Sequence, residues 1–226
     1  MISPTFKACI FDLDGVIVDT ARYHYAAWKE IARRLGYDFK LNENEALKGV
    51  SRSSSLDIII SLAKVELSQE EKDQFCEIKN QLYRGYIREM TPKEILPGVV
   101  ELINALREYG IRIALGSASK NALFILSTVQ ITHLFDVIID GNQVSKAKPN
   151  PEVFLKGAEA LGVQPSSCIV FEDAAKGLEA AKSAQMMAVG IGKENNLPAA
   201  DLVISGFIDF TLDHLIKTFQ EYISRQ

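Results

Sequence analysis

The segment Ala8-Cys-Ile-Phe-Asp-Leu-Asp-Gly-Val-Ile-Val-Asp19 constrains this chain more than any other. It opens as an apolar run that reads as a buried strand. It then sets Asp12 and Asp14 where that strand should end, with Gly15 directly behind them. A buried parallel strand has no structural use for two acids at its carboxyl end. That end is where open α/β sheets bind their ligands. Period-two alternation puts Asp12 and Asp14 on one side of an extended backbone and Leu13 on the other. Two convergent carboxylates suit a hard cation such as Mg²⁺, or a nucleophile with its acid/base partner. A solvated strand terminus with a glycine turn is the bland alternative.

From residue 92 onward, strand and helix patterns alternate. Short β-branched or apolar runs predict strands at 111–115, 135–139, 167–171, 187–191 and 202–204. Helical periodicity predicts helices at 97–109, 121–129, 152–161, 174–184 and 210–222. Such alternation implies βαβ units and a parallel sheet. The stretch 20–91 breaks the rhythm. Tyr23, Ala27, Ile31 and Leu35 form one helical face that Gly36 stops, and helical patterns follow at 51–63 and 68–88. The last opens on Ser68 with Glu71 three residues later, a capping box. No strand candidate of any strength falls among them. The expected architecture is α/β: a Rossmann-like core with a central parallel sheet flanked by helices, and a small all-helical cap inserted after strand 1. The core takes 1–17 and 92–226, the cap takes 18–91, and the hinges lie at Val18-Asp19 and Thr91-Pro92.

Bulk properties exclude several classes. Hydrophobic residues make up 47% of the 226 and charged residues 24%, which fits a globular chain rather than a disordered one. The net charge of −4 gives no basic field to recruit nucleic acid. No apolar run reaches the roughly 18 residues needed to span a bilayer, and the N-terminus lacks the layout of a signal peptide. Cys9, Cys76 and Cys168 cannot all pair, and two of them sit inside strand patterns; a reducing cytoplasm is expected. A monomer is expected too, because a moving cap sits poorly in a large interface.

Three further features stand at predicted strand ends. Gly116-Ser117-Ala118-Ser119 offers small hydroxyls and backbone N–H groups for a phosphate nest, although Ser117 also suits a plain helix cap. Lys148 precedes the helix at Pro151; a loop lysine is ordinarily solvated. Glu172-Asp173 repeats the oddity of Asp12 and Asp14. Unit charges about 4 Å apart interact by roughly 4 kcal/mol at an effective dielectric near 20. Four acids gathered at one sheet edge therefore require a cation. Mg²⁺ and Lys148 would supply it, and the site would take an anion delivered to a metal, with phosphate the natural candidate. Attack by a carboxylate would form an aspartyl-phosphate.

In identity and order, Asp12-Leu-Asp-Gly-Val16, Ser117, Lys148 and Glu172-Asp173 resemble the four motifs of the haloacid dehalogenase superfamily of phosphotransferases. The likeness covers essentially the whole chain, and the insert resembles the helical-cap subclass. Within it the chain resembles the mutases that interconvert β-D-glucose 1-phosphate and glucose 6-phosphate through glucose 1,6-bisphosphate. The resemblance implies Asp12 as the phosphorylated nucleophile and Asp14 as the general acid/base. It implies Mg²⁺ held by Asp12, the Asp14 backbone carbonyl, Glu172 and Asp173, with Ser117 and Lys148 on the transferring phosphoryl group. Thr20, His24 and Trp28 match the mutases' hinge threonine, histidine and tryptophan. Lys48-Gly49-Val50-Ser51-Arg52 matches the cap loop whose arginine grips the non-reacting phosphate, and Ser55 and Lys79-Asn80 match as well. Ser117-Ala118-Ser119-Lys120-Asn121 matches the longer second motif, whose extra residues meet the second phosphate and the sugar.

That selectivity has a physical logic. A mutase needs two phosphate sites, and Arg52 offers a planar fork for the second. The bisphosphate must turn over, which a hinged cap permits, while a closed cap keeps water from the aspartyl-phosphate. Singly, His24 also reads as a helix-surface residue, Trp28 as core and Arg52 as a solvated charge. A phosphatase for small sugar or polyol phosphates shares all four motifs. A silent binding module would have no need of a nucleophile beside an acid/base. Two departures stand out: Ala174 where many relatives carry serine, which bears on metal affinity, and Lys146, which either shares the phosphate with Lys148 or is exposed.

Overall fold

A computed structural model describes residues 5–47 and 50–225. Six strands form one parallel sheet: β1 (Ala8–Phe11), β2 (Arg112–Gly116), β3 (Val137–Ile139), β4 (Cys168–Glu172), β5 (Met187–Ile191) and β6 (Leu202–Ile204), in the order β3-β2-β1-β4-β5-β6. The order reverses at β1, between β2 and β4, which is where ligands bind in sheets of this kind. Helices α4 (Val99–Glu108), α5 (Ala122–Thr128), α6 (Glu152–Leu161), α7 (Ala175–Ser183) and α8 (Leu212–Ser224) cover the sheet. Strand alternation splits the core between the two faces. Cys9, Phe11, Ile113, Leu115, Ile169 and Phe171 pack toward α4, α5 and α8. Ala8, Ile10, Ala114, Cys168 and Val170 pack toward α6 and α7.

Between β1 and α4 lies the insert, with α1 (Ala21–Arg34), α2 (Arg52–Ala63) and α3 (Gln69–Ile87). Ser51 caps α2, and Ser68 with Glu71 closes the expected capping box on α3. The insert owns an apolar cluster built on Trp28, Ile31, Phe39, Leu56 and Ile59, so it is a cap with its own core. Tyr83 and Ile87, near the end of α3, pack into the main core instead. No helix among the described residues is long and apolar enough to cross a membrane.

Among the secondary-structure elements, three departures from the sequence reading stand out. A 3₁₀ helix, Leu41–Leu47, occupies a stretch that has no clear period in sequence. β3 starts at Val137 rather than 135, because the Asp136 carboxylate takes the Ile113 N–H at 2.7 Å where a strand carbonyl would otherwise accept it. α8 starts at Leu212 rather than 210, because Thr211 caps it through the His214 N–H.

Candidate active site

Register builds the floor of the site. Phe11 pairs with Leu115 on one side and Phe171 on the other, so Asp12, Gly116 and Glu172 stand level at the carboxyl ends of three central strands. The Asp12 N–H donates to the Phe171 carbonyl at 2.9 Å, which fixes where its side chain leaves the sheet. The strand ends there. The chain then turns about Leu13, whose carbonyl accepts the N–H groups of Ile17 and Val18. Asp12 and Asp14 do converge, but through this turn rather than through the extended alternation expected from sequence: the Asp14 N–H donates to Asp12 Oδ2 at 3.1 Å. Gly15 carries φ +78°, and a Cβ there would overlap the Asp173 carboxylate. A Cβ at Gly177 would likewise overlap the Glu172 carboxylate. Both glycines let the acids close in.

Lys148 is buried, against the expectation for a loop lysine. Its Nζ donates to Asp12 Oδ1 at 2.6 Å and to Glu172 Oε1 at 3.0 Å, and it lies 4.7 Å from the Phe154 ring centroid. Lys146 is exposed, with its backbone N–H held by Glu152 at 2.8 Å. The second oxygen of Glu172 accepts the N–H groups of Asp173 and Ala174 at 2.6 and 3.1 Å. Burial pulls the Lys148 ammonium down, but Asp12 and Glu172 beside it outweigh that and hold it above its ordinary value. Burial pushes Asp12 well up, Lys148 pushes back, and Glu172 and Asp14 push it further up.

Oxygens of Asp12, Glu172 and Asp173 lie within 4.8 Å of one another. Three carboxylates gather beside the Lys148 ammonium, and the donors are all hard oxygens. That set fits a divalent cation, which would also favour the anionic form of Asp12. The Asp14 carboxylate stands outside the cluster: the Thr20 hydroxyl donates to its Oδ1, and His24 Nε2 lies 3.8 Å from the same oxygen. Burial raises Asp14, with the Thr20 bond opposing.

In the second-motif loop, three N–H groups of the expected nest already have partners. The Ser117 N–H goes to the Ile139 carbonyl at 3.0 Å, the Ser119 N–H to Ser117 Oγ at 3.1 Å, and the Asn121 N–H to Ser119 Oγ at 3.3 Å. Short hydroxyl side chains accept from the backbone two residues on, so these three N–H groups are engaged within the protein. Ser117 itself is buried beside the acids' strand ends.

The roof belongs to the cap. Lys79 is buried, with Nζ 4.9 Å from the Trp28 ring centroid, 4.4 Å from that of Tyr83 and 3.0 Å from His24 Nδ1. Burial and the nearby Arg52 charge lower it to about 7. Burial also pushes His24 well down, helped by Lys79 and Arg52, so it stands neutral. Arg52 Nη2 donates to Asn80 Oδ1 at 2.9 Å.

Floor and roof enclose one cavity of about 890 Å³. Asp12, Asp14, Ser117, Lys148, Glu172 and Asp173 line it from the core, with Ala118, Ser119, Lys120 and Asn121 beside them. Thr20, His24, Trp28, Val50, Ser51, Arg52, Ser55 and Lys79 line it from the cap. Lys48 and Gly49 lie outside the described residues. Sequence reasoning missed Tyr83 and Asn44, which also line the cavity and carry buried polar atoms, Tyr83 Oη and Asn44 Oδ1. Tyr83 had a findable signal: it sits four residues after Lys79 on one helix face. Asn44 had none, lying in the unforeseen 3₁₀ helix.

Comparison with known proteins agrees with this geometry. Residues 6–185 match the family described as haloacid dehalogenase-like hydrolase. A β-phosphoglucomutase of Bacillus subtilis is 41% identical over 97% of this chain and 98% of its own length. The crystal structure of β-phosphoglucomutase from Clostridium difficile superposes with a TM-score of 0.93 at 43% identity, covering 97% of this chain and 100% of that one. The fructose-1-phosphate phosphatase YqaB of Escherichia coli is 32% identical over 82% of this chain and 96% of its own length. With its strand-end acids, buried lysine and helical cap in the motif order of that group, the chain belongs to the haloacid dehalogenase-like hydrolase family.

Proposed function

We propose that this chain is a sugar-phosphate mutase that interconverts β-D-glucose 1-phosphate and glucose 6-phosphate, through an aspartyl-phosphate on Asp12 and a glucose 1,6-bisphosphate intermediate. One observation carries the reading beyond phosphoryl transfer in general. The cavity holds two separate cationic positions: Lys148 on the floor beside Asp12, and Arg52 with Lys79 on the roof. A monophosphate donor needs only the first. A hexose carrying a phosphate at each end uses both, and the cavity volume lies within the ~300–1,000 Å³ common for small-molecule sites.

In this reading Asp12 attacks phosphorus, the bond from phosphorus to the sugar oxygen breaks, and Asp14 gives that oxygen its proton. Burial suits Asp14 to the task by keeping it protonated further up the pH scale than an ordinary carboxylate. The other half-reaction reverses the roles: Asp14 takes a proton from the C6 hydroxyl of β-D-glucose 1-phosphate as that hydroxyl oxygen attacks the phosphoryl group on Asp12. The bond from phosphorus to Asp12 breaks, and glucose 1,6-bisphosphate forms, whose C1 phosphoryl group passes to Asp12 to leave glucose 6-phosphate. Lys148 and Ser117 hold the transferring group, and Arg52 with Asn121 holds the far phosphate. Asp12, Glu172, Asp173 and the Asp14 backbone carbonyl would hold Mg²⁺, which as a Lewis acid offsets charge on the phosphoryl oxygens. The cap runs from 18 to 91 and turns on hinges at its two ends, letting the bisphosphate reorient and then excluding water.

A phosphorus NMR time course tests the reading. β-D-Glucose 1-phosphate, Mg²⁺ and a trace of glucose 1,6-bisphosphate are mixed with the protein. Glucose 6-phosphate appearing only with the bisphosphate present is the expected result. Inorganic phosphate as the sole product would make the protein a sugar phosphatase, the activity named for its relative from E. coli.

A further inference from the structure

Helix α3 of the cap meets helix α5 of the core along a short seam. Asn80 and Arg84, four residues apart, share a face of α3. Opposite them stand Asn121 and Phe124 at the start of α5. Asn121 Nδ2 donates to Asn80 Oδ1 at 3.1 Å, and the Arg84 guanidinium lies 5.4 Å from the Phe124 ring centroid. The same oxygen of Asn80 accepts from Arg52 Nη2 at 2.9 Å. Arg52 and Asn121 line the cavity, whereas Asn80 does not.

We propose that Asn80 is a positioning residue. Its one carboxamide oxygen ties a cap donor and a core donor together behind the cavity wall, and with Arg84 it latches the cap to the core. Two donors on one acceptor stand no more than about 6 Å apart. The guanidinium keeps four further N–H groups and the Asn121 amide keeps one, so the tie fixes both heads without exhausting them. The acceptor is also neutral. A carboxylate in its place would orient Arg52 equally well but cancel the charge that an incoming anion needs. Because the two bonds share an atom, a shift of Arg52 toward an anion changes the bond that holds Asn121, and occupancy of the cavity is coupled to the seam. Only the identity of that anion, the second phosphate of a sugar bisphosphate, rests on the proposed function.

Two measurements test this. The first needs no substrate: the radius of gyration from small-angle scattering. It is expected to rise in Asn80→Ala, in Asn121→Ala and in Arg84→Ala. The Asn80→Ala/Asn121→Ala double variant should open no further than either single variant, since both remove the same cap-to-core bond. Unchanged scattering in all three single variants, or additive opening in the double, would overturn the latch. The second measurement is steady-state kinetics of Asn80→Asp. It should keep the wild-type radius of gyration, raise KM for β-D-glucose 1-phosphate by at least tenfold and leave kcat within about threefold. An unchanged KM would overturn the neutral-tie argument. If the wild-type protein makes no glucose 6-phosphate, the mutase reading fails while the scattering result still decides the latch.

Discussion

The floor and the roof of the cavity are built from opposite electrostatics. On the floor the carboxylates of Asp12 and Glu172 hold the Lys148 ammonium, and Asp14 and Asp173 line the cavity beside them. On the roof neutral groups hold two cations: Lys79 rests on the faces of Trp28 and Tyr83, and Arg52 on the Asn80 carboxamide. A buried charge whose direct contacts are neutral is costly to keep, and the more distant Asp14 offsets only part of that cost at Lys79. Under the proposed function a metal ion would meet the floor's acids and the far phosphate would meet the roof's cations. In that reading the floor would perform transfer, and the roof would select what the far end of the substrate carries.

Breaking the floor has the largest expected effect. Asp12→Asn should lower phosphoryl transfer from both β-D-glucose 1-phosphate and acetyl phosphate by about 10⁴-fold or more, checked by label transfer from a phosphorus-32 donor to the protein. Retained labelling would move the nucleophile elsewhere. Asp14→Asn should separate the steps. Labelling by acetyl phosphate persists, while sugar isomerisation falls by about 10²–10⁴-fold, the usual worth of a general acid/base. Equal loss of both would give Asp14 a structural role instead.

The roof should yield smaller and more selective losses. Arg52→Ala is expected to cost about 10–100-fold in mutase kcat/KM, the range of a charge-assisted hydrogen bond, and to leave acetyl phosphate hydrolysis within about threefold. Equal losses in both reactions would merge roof and floor into one site. Lys79 gives the roof a pH signature. Its folded value of about 7 lies below the ordinary 10.5, so between those two values the unfolded chain binds the extra proton. Stability of the ligand-free protein should therefore rise with pH across that window, by up to about 1.4 kcal/mol per pH unit from this group. Below about 7 both states are protonated and the full cost of burying the charge remains. Lys79→Met should flatten the rise, measured by urea unfolding at pH 7 and pH 9. A slope that persists in the variant would assign it to other groups.

The two halves also differ in how far the sequence discloses them. The floor is legible because sheet topology makes it so. Acids that close apolar strands have one place to go, the carboxyl edge of the sheet, and β1 and β4 become neighbours in register. Even there the backbone escaped the reading. The turn at Leu13 and the serine-to-backbone bonds of the 117–121 loop depend on local hydrogen bonds that alternation cannot express. On the roof, helical period located α1, α2 and α3 but not their mutual rotation. Tyr83 therefore went unmarked, although its ring closes on Lys79 and stacks near His24 with 4.2 Å between centroids. The seam from Asn80 to Asn121 joins residues 41 apart across two domains, and no local pattern announces it.

The smallest effect concerns Ala174, which follows Asp173 where the family resemblance leads one to expect serine. Two roles compete for that hydroxyl: ordering the metal carboxylates, or capping a helix. Ala174 is the N-cap of α7, in extended geometry at φ −116° and ψ 140°, and α7 has no side-chain cap. Its own N–H is already taken by Glu172 Oε2 at 3.1 Å, so the carboxylate is ordered without a hydroxyl. Capping is therefore the role the geometry leaves open. Ala174→Ser should stabilise the protein by about 1 kcal/mol and leave the Mg²⁺ activation constant within about threefold, measured by urea unfolding and by metal titration of turnover. A tenfold tighter metal with unchanged stability would reverse the assignment.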